Sequence, residues 1–389
     1  MAAPLSPTFW TVWVGALINR CGTLVVPYLA WYLSEARELG EARAGTIVAL
    51  WGLGALASGP LGGLLADRIG RRPSLTLALV GGGLAMLQLG LARAPLHLAF
   101  SAFLAGILGE LYRPAMNAVV ADVVPLEERA RAFGLIYWVV NLGMSVANSL
   151  GGLLATRGFL PLFVLDAATT FLFGIVVWVR VPETRPSGSA ATSGHGGDLA
   201  APYRDPLLLA FVLVSFLLAL VFSQWLFALP LALRRAGLPP THYGLLMAFN
   251  GVLIVLLQPG LVRWLARRDR GWVLCVGSLL TGCGFGLTAL ASTAWGYAAT
   301  VVLWTFGEML TLPLGPTVVA DLAPPHLRAS YLGLYQLSWG AASFLAPLLG
   351  GRVIARFGAN VIWAACALLG LVAALGQLAV ARASHRRAA

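Results

Sequence analysis

Apolar residues recur along the chain in long runs cut by short polar breaks. The runs cover 9–33, 44–66, 74–92, 96–120, 132–155 and 160–180, then 207–232, 242–265, 272–291, 295–319, 331–354 and 360–380. Each supplies the roughly 20 residues that a helix needs to cross a hydrocarbon layer about 30 Å thick. The pattern predicts an all-α integral membrane protein with twelve transmembrane helices in two sets of six. Between the sets lies Val181 to Pro206, with Pro-Glu-Thr-Arg-Pro-Ser-Gly-Ser followed by Ser-Gly-His-Gly-Gly-Asp. That stretch is too polar to span and too rich in Gly and Ser to build a core, so it reads as a flexible linker. The expected organisation is a six-helix bundle over 1–183, a linker over 184–205 and a second bundle over 206–389. Met1 to Pro7 has no basic n-region and no cleavage site closes the first run, so that run reads as an uncleaved first helix.

The two sets are copies. A shift of 199 residues carries Val119-Val120-Ala121-Asp122 onto Val318-Val319-Ala320-Asp321 without a gap. The same shift carries Pro125 onto Pro324, Arg129-Ala130 onto Arg328-Ala329, Gly134-Leu135 onto Gly333-Leu334, and Leu150-Gly151-Gly152 onto Leu349-Gly350-Gly351. Six helices, an even number, separate the copies, so both share one topology about an axis along the membrane normal. Paired repeats of this kind enclose a site near the midplane.

Composition agrees with a bilayer solvent. Hydrophobic residues make up 59% of the chain and charged residues 11%, against about a quarter charged in soluble domains. The net charge is +11, and all 26 basic residues are Arg. They lie in small groups between apolar runs and form no continuous basic face, which argues against a nucleic-acid partner. With both termini in the cytoplasm, sixteen arginines fall in cytoplasmic segments and eight on the opposite side, the bias that sets orientation. Cys21, Cys275, Cys283 and Cys366 sit in apolar stretches without metal-ligand spacing and read as small buried residues. The five histidines are scattered, with no metal cluster or Ser/His/Asp set. No Gly-Lys-Ser/Thr loop follows any glycine pair, so ATP hydrolysis is not expected, nor is any cofactor.

The loop after the second span reads Gly63-Leu64-Leu65-Ala66-Asp67-Arg68-Ile69-Gly70-Arg71-Arg72. It resembles the signature loop between helices two and three of the major facilitator superfamily. Other stretches are similar to the drug/proton antiporter-type branch: Asn19-Arg20-Cys21-Gly22 with Pro27, Arg113-Pro114-Ala115 with Ala121-Asp122 and Arg129, Phe163-Val164-Leu165-Asp166-Ala167, and Gln224 with Leu229-Pro230-Leu231. The chain departs from that branch in span 5, where Ala147 and Asn148 replace the usual Gly-Pro, and in span 4, where Ala102 stands at a usual Arg. In the second copy of the signature loop, Ala266 replaces Asp67. The resemblance implies a major facilitator fold, no enzymatic activity and transport by alternating access. It further implies proton-coupled efflux of small amphipathic or hydrophobic compounds from a bacterial cytoplasm. Uptake or symport of a peptide, sugar or other metabolite is the alternative. The expected partners are a small-molecule substrate, protons and the bilayer, with the chain working as a monomer.

The candidate site residues follow from charge inside hydrocarbon, where an ionised group needs a partner or a wet cavity. Glu110 and Arg113 lie one turn apart on span 4, Glu308 on span 10 and Arg20 on span 1. The resemblance implies that spans 1, 4, 7 and 10 line the cavity. A carboxyl close to an Arg can hold a proton in one state and lose it in another, so Glu110, Glu308 and Asp166 are the proton-coupling candidates. The competing readings are a structural Glu110–Arg113 or Arg20–Glu pair, and an interfacial or capping carboxylate at Asp166. Arg20, Arg113, Gln224 and Trp304 are the substrate-cavity candidates. Gly63, Asp67, Arg68, Gly70, Arg71, Arg72, Asp122 and Arg129 form the expected cytoplasmic gate, with Asp122 a partner for Arg71 or Arg72 and Asp67 placed to meet the N-terminus of span 11.

Overall fold

A computed structural model describes residues 5–125, 128–185, 201–265, 268–324 and 327–388. His195, His326, Ala266 and most of the expected linker lie outside the described residues, as do the side chains of Arg263, Arg267, Arg328 and His385. Among the described residues there are twelve helical spans. They are α1 Pro7–Glu35, α2 Glu41–Ile69, α3 Arg71–Leu91, α4 Pro95–Val123, α5 Arg131–Ala155, α6 Leu160–Arg180, α7 Pro206–Arg235, α8 Pro240–Gln258, α9 Arg270–Leu290, α10 Ala294–Leu322, α11 Ser330–Phe357 and α12 Ala359–Ser384.

The chain is helical because hydrocarbon offers backbone groups no partners, so each segment must satisfy its own N–H and C=O groups. Local sequence sets where helices start. Ser6 caps α1 by accepting from Phe9 N at 3.2 Å, and Asp205, at the equivalent position of the repeat, caps α7 by accepting from Leu207 N and Leu208 N. Asp269 caps α9 through Trp272 N and Thr293 caps α10 through Gly296 N. Such caps use donors that the first turn leaves unpaired. Outward faces carry exposed Leu77, Leu256 and Leu368, which suits contact with lipid.

The chain forms two compact units. One comprises 1–39, 50–194 and 239–251, the other 40–49, 195–238 and 252–389. The expected single cut in the linker differs from this in two segments, one from the start of α2 and one from the start of α8. Close backbone approach explains both. In the second unit a Cβ on Gly351 would lie 2.4 Å from the Glu41 carbonyl oxygen. In the first, a Cβ on Gly244 would lie 2.3 Å from that of Asn148.

Each unit has its own core. In the first, Phe9, Ala66, Leu75, Tyr112, Val139 and Phe173 join six spans. In the second, Leu208, Phe211, Leu274, Val319 and Tyr335 do the corresponding work. The repeat extends to packing: α3 meets α6 with Gly83 against Phe171, and α9 meets α12 with Gly282 against Gly370, positions related by the same shift. A Cβ on Gly370 would stand 2.3 Å from the Gly282 Cα. Gly370→Leu is therefore expected to overpack this crossing by about 1–3 kcal/mol and to lower the thermal unfolding midpoint of the detergent-purified protein. Gly134→Ala, where an added Cβ meets nothing within 4 Å, is expected to leave that midpoint unchanged.

Candidate functional site

The loop joining α2 to α3 is a single residue, Gly70, at φ +101°. That left-handed region suits glycine, and a Cβ there would also lie 2.5 Å from a Glu183 carboxylate oxygen. The tight turn brings the charged residues together. Arg71 Nη1 donates to Asp67 Oδ1 at 3.0 Å and to the Ala66 carbonyl at 3.0 Å, and Arg71 Nε donates to Asp122 Oδ2 at 3.1 Å. Of the two expected partners for Asp122, the structure thus selects Arg71. Arg72 turns away, donating to the Trp178 carbonyl with its guanidinium 4.4 Å from that indole centroid, a cation–π contact. Arg129 donates to the carbonyls of Ala121 at 2.7 Å and Val124 at 3.3 Å, closing the end of α4. Arg68 enters through its carbonyl, and Gly63 lies open within α2.

Three further residues hold this loop, all in the segment read as linker or its edge. Glu183 accepts from the backbone N–H groups of Arg71 at 2.9 Å and Arg72 at 3.1 Å, capping α3. Thr184 Oγ1 donates to Asp122 Oδ2 at 3.1 Å, and Arg185 Nη1 donates to the Arg68 carbonyl at 2.9 Å. The linker expectation from 184 onward is corrected at its first residues, which are bound to the loop. Burial would push the Glu183 carboxyl up. The N–H groups of Arg71, Arg185, Arg72 and Thr184 outweigh it and hold the group below the usual carboxylate range.

The second half carries the same central pair. The repeat shift takes Arg71 to Arg270 and Asp122 to Asp321, and Arg270 Nη1 bonds Asp321 Oδ2. Judged from Ala266 alone, this copy of the loop had lost its chemistry, but the ion pair remains. It is far more open: Arg270 and Asp321 are 50% and 60% accessible, against 14% and 20% for Arg71 and Asp122.

Within the bilayer the four helices α1, α4, α7 and α10 are all interrupted. The α-helix of α1 stops at Cys21 and resumes at Leu29, that of α4 stops at Glu110 and resumes at Tyr112, that of α7 stops at Phe222 and resumes at Ala228, and that of α10 stops at Thr311 and resumes at Leu314. Discontinuous helices free backbone groups and are where membrane carriers build their sites. The candidate residues sit at these interruptions. Arg20 closes the first piece of α1, Glu110 the first piece of α4, Gln224 lies in the turn of α7, and Glu308 stands one turn before the break in α10.

Their surroundings separate them. Glu110 and Arg113 form an ion pair, with the Arg113 side chain 50% accessible. Arg20 is only 5% exposed and pairs with no glutamate among the described residues. Its Nη2 donates to Tyr112 Oη, and its guanidinium lies 5.6 Å from that ring centroid. Asp166 is buried, 5% exposed. Its Oδ2 accepts from Leu24 N at 3.1 Å and Val25 N at 3.2 Å, so it caps the break in a different helix. Glu308 is half-buried. Gln224 is buried, donating to the Leu220 carbonyl at 3.3 Å. Trp304 is closed off, stacked on Phe285 at 5.2 Å and edge-on to Phe222 at 6.0 Å. Asn19 donates to Thr170 Oγ1 at 2.9 Å, tying α1 to α6. Asn19, Arg20, Glu110, Tyr112, Asp166 and Thr170 border one cavity inside the first unit, with about 30 Å³ open to the centre of a water molecule. That is room for one or two waters.

Twelve spans in two copied halves define a multi-pass membrane protein. Comparison with known proteins gives its family. Residues 12–347 and 237–388 match the model of the Major Facilitator Superfamily, and the chain belongs to that family. It is 28% identical over 364 residues to a Na(+), Li(+), K(+)/H(+) antiporter of Planococcus maritimus, covering 85% of each chain. It is 26% identical over 343 residues to multidrug resistance protein 2 of Bacillus subtilis, covering 84% of each. Its fold matches the crystal structure of the nucleoside transporter NupG with a TM-score of 0.82 at 14% identity, over 96% of this chain and 99% of that one.

Glu183 gives the loop a testable pH response. A carboxylate with a depressed folded pKa contributes order that is fully present above its free value, near 4.5, and lost as pH falls through the lower folded value. Amide exchange at Arg71 and Arg72 is therefore expected to stay protected at neutral pH and to accelerate only in acid. Glu183→Gln is expected to lose protection at every pH, and equal protection in variant and wild type would refute the assignment.

Proposed function

We propose that this chain exports small amphipathic or hydrophobic compounds in exchange for protons, by alternating access, in a bacterial cytoplasmic membrane. One observation carries the reading: the Glu110–Arg113 ion pair at the break of α4. An isolated charge at this depth is costly, whereas a paired carboxyl can be neutralised by a proton when its partner turns to substrate or water. Glu308 on α10, one residue out of register with Glu110 in the repeat, is the second candidate carrier. Similarity to a Na(+), Li(+), K(+)/H(+) antiporter supports exchange against protons, and similarity to a multidrug resistance protein supports drug-like cargo.

In this reading both termini face the cytoplasm, as the arginine distribution supports, and the two six-helix sets rock about the site. The Asp67–Arg71–Asp122 cluster, braced by Glu183, Thr184 and Arg185, serves as the cytoplasmic gate. Gln224 and Trp304 reach substrate only in a conformation that uncovers them. Arg20 holds the first half together from inside. The chain acts as a monomer.

The test is proton flux through purified protein in liposomes, with lipophilic cations, antibiotics and neutral metabolites offered on each side. Substrate-driven proton movement opposite to the substrate is expected. Glu110→Gln or Glu308→Gln should reduce it by at least about tenfold, the scale expected of a lost acid–base group. Protons moving in the same direction as cargo would select the uptake alternative. Substrate flux indifferent to both variants and to a pH gradient would end the proton-coupled reading.

A further inference from the structure

We propose that Asp166 exchanges protons with Glu110 through the cavity inside the first unit, and that its proton occupancy opens and closes the break in α1. The inference rests on the proton-coupled reading above and adds to it the part that moves.

The break is where the α1 backbone runs short of partners. Beyond Cys21 the helical ladder stops, and a short 3-10 turn over Val26–Tyr28 precedes the next helical piece. Leu24 N and Val25 N are held there by one oxygen of Asp166, a residue of α6. An ionised carboxylate accepts such bonds strongly, and a protonated one has less acceptor capacity and a donor of its own. Adding a proton to Asp166 therefore weakens the side-chain bonds that hold those two amides.

The neighbours supply a route for that proton. Asp166 and Glu110 border the same cavity. Two buried donors in its wall, Arg20 Nε and Trp51 Nε1, have no protein partner among the described residues. Buried polar groups left by the protein are ordinarily met by water, and the cavity has the room. The ionisable groups facing Asp166 are Arg20 on α1 and Glu110 with Tyr112 on α4. The cavity wall from α2 offers only Trp51, and that from α3 only Ala78, Leu79, Gly82 and Met86. Arg20 and Glu110 set one basic and one acidic group on the same cavity wall as Asp166, and Glu110 is ion-paired with Arg113.

The repeat supplies an internal control. In the second half Arg20 becomes Ala219, Tyr112 becomes Thr311 and Asp166 becomes Ala365. That half still builds an interrupted α7 and α10. The scaffold needs none of these polar groups, so their presence in the first half calls for another reason than holding up the break.

The experiment follows backbone amide exchange at Leu24 and Val25 in the detergent-purified protein, without substrate, as pH is lowered and after correction for the intrinsic pH dependence of exchange. Wild type is expected to lose about tenfold in protection on acidification, the change that one pKa unit of linkage produces. Asp166→Asn should give protection that no longer varies with pH, and Glu110→Gln should retain the response with a slower approach to equilibrium. Constant protection in wild type would overturn the inference, and so would a pH response that survives in Asp166→Asn. The titration of wild type decides the matter even if the variant fails to fold. Because no substrate is present, a response at the break together with absent substrate-driven proton flux in liposomes would refute the export reading and leave this inference standing.

Discussion

A helix that breaks inside hydrocarbon must find new partners for the amides it frees, and the rest of this structure follows from how that requirement is met. Four of the twelve spans are interrupted, and each interruption sits where a polar side chain was placed by the sequence. At α1 the freed N–H groups are taken by Asp166 from α6. At α4 the break is flanked by Glu110 and Tyr112, which turn towards Arg113 and Arg20. The breaks therefore do two things at once. They let three spans exchange hydrogen bonds that continuous helices would keep to themselves, and they set ionisable groups beside backbone that is free to rearrange. A proton carrier needs that pairing of charge with a movable element.

The two halves show which parts of the architecture belong to the scaffold. Helix caps at Ser6 and Asp205, the crossings of α3 with α6 and α9 with α12, and the pairs Arg71–Asp122 and Arg270–Asp321 recur under one shift of register. The Arg20–Tyr112 contact and the Asp166 cap do not. What recurs holds the helices, and what occurs once is free to be specialised.

Much of this was legible in the sequence because the bilayer imposes a strict rule. About 20 apolar residues are needed for each crossing, so every run announced a span, and the repeat announced the pairing of halves. The Asp67–Arg71–Asp122 cluster was legible because charges beside a glycine turn have few places to go. Other features were hidden for physical reasons. Glu183 follows a helix directly but was masked by the Gly- and Ser-rich composition after it. The partners of Asp166 were hidden because they lie 142 and 141 residues away in sequence and meet it only after α1 breaks. Trp304 looked like a cavity wall because its helix lines the cavity in the family, but neighbouring rings cover it. The Arg270–Asp321 pair was missed by asking whether the motif survived as a string, when what survived was the contact.

The difference in exposure between the two related ion pairs has a consequence for the protein's surroundings. Mobile ions screen charges they can approach, over about 8 Å at physiological ionic strength, and reach shielded ones far less. Arg270–Asp321 stands in reach of them, whereas Arg71–Asp122 is largely covered and further secured by the Thr184 hydroxyl. Salt thus weakens Arg270–Asp321 more than Arg71–Asp122. A rise in salt around the protein would loosen one of two related clasps and leave its counterpart fastened, an osmotic bias written into an otherwise duplicated frame.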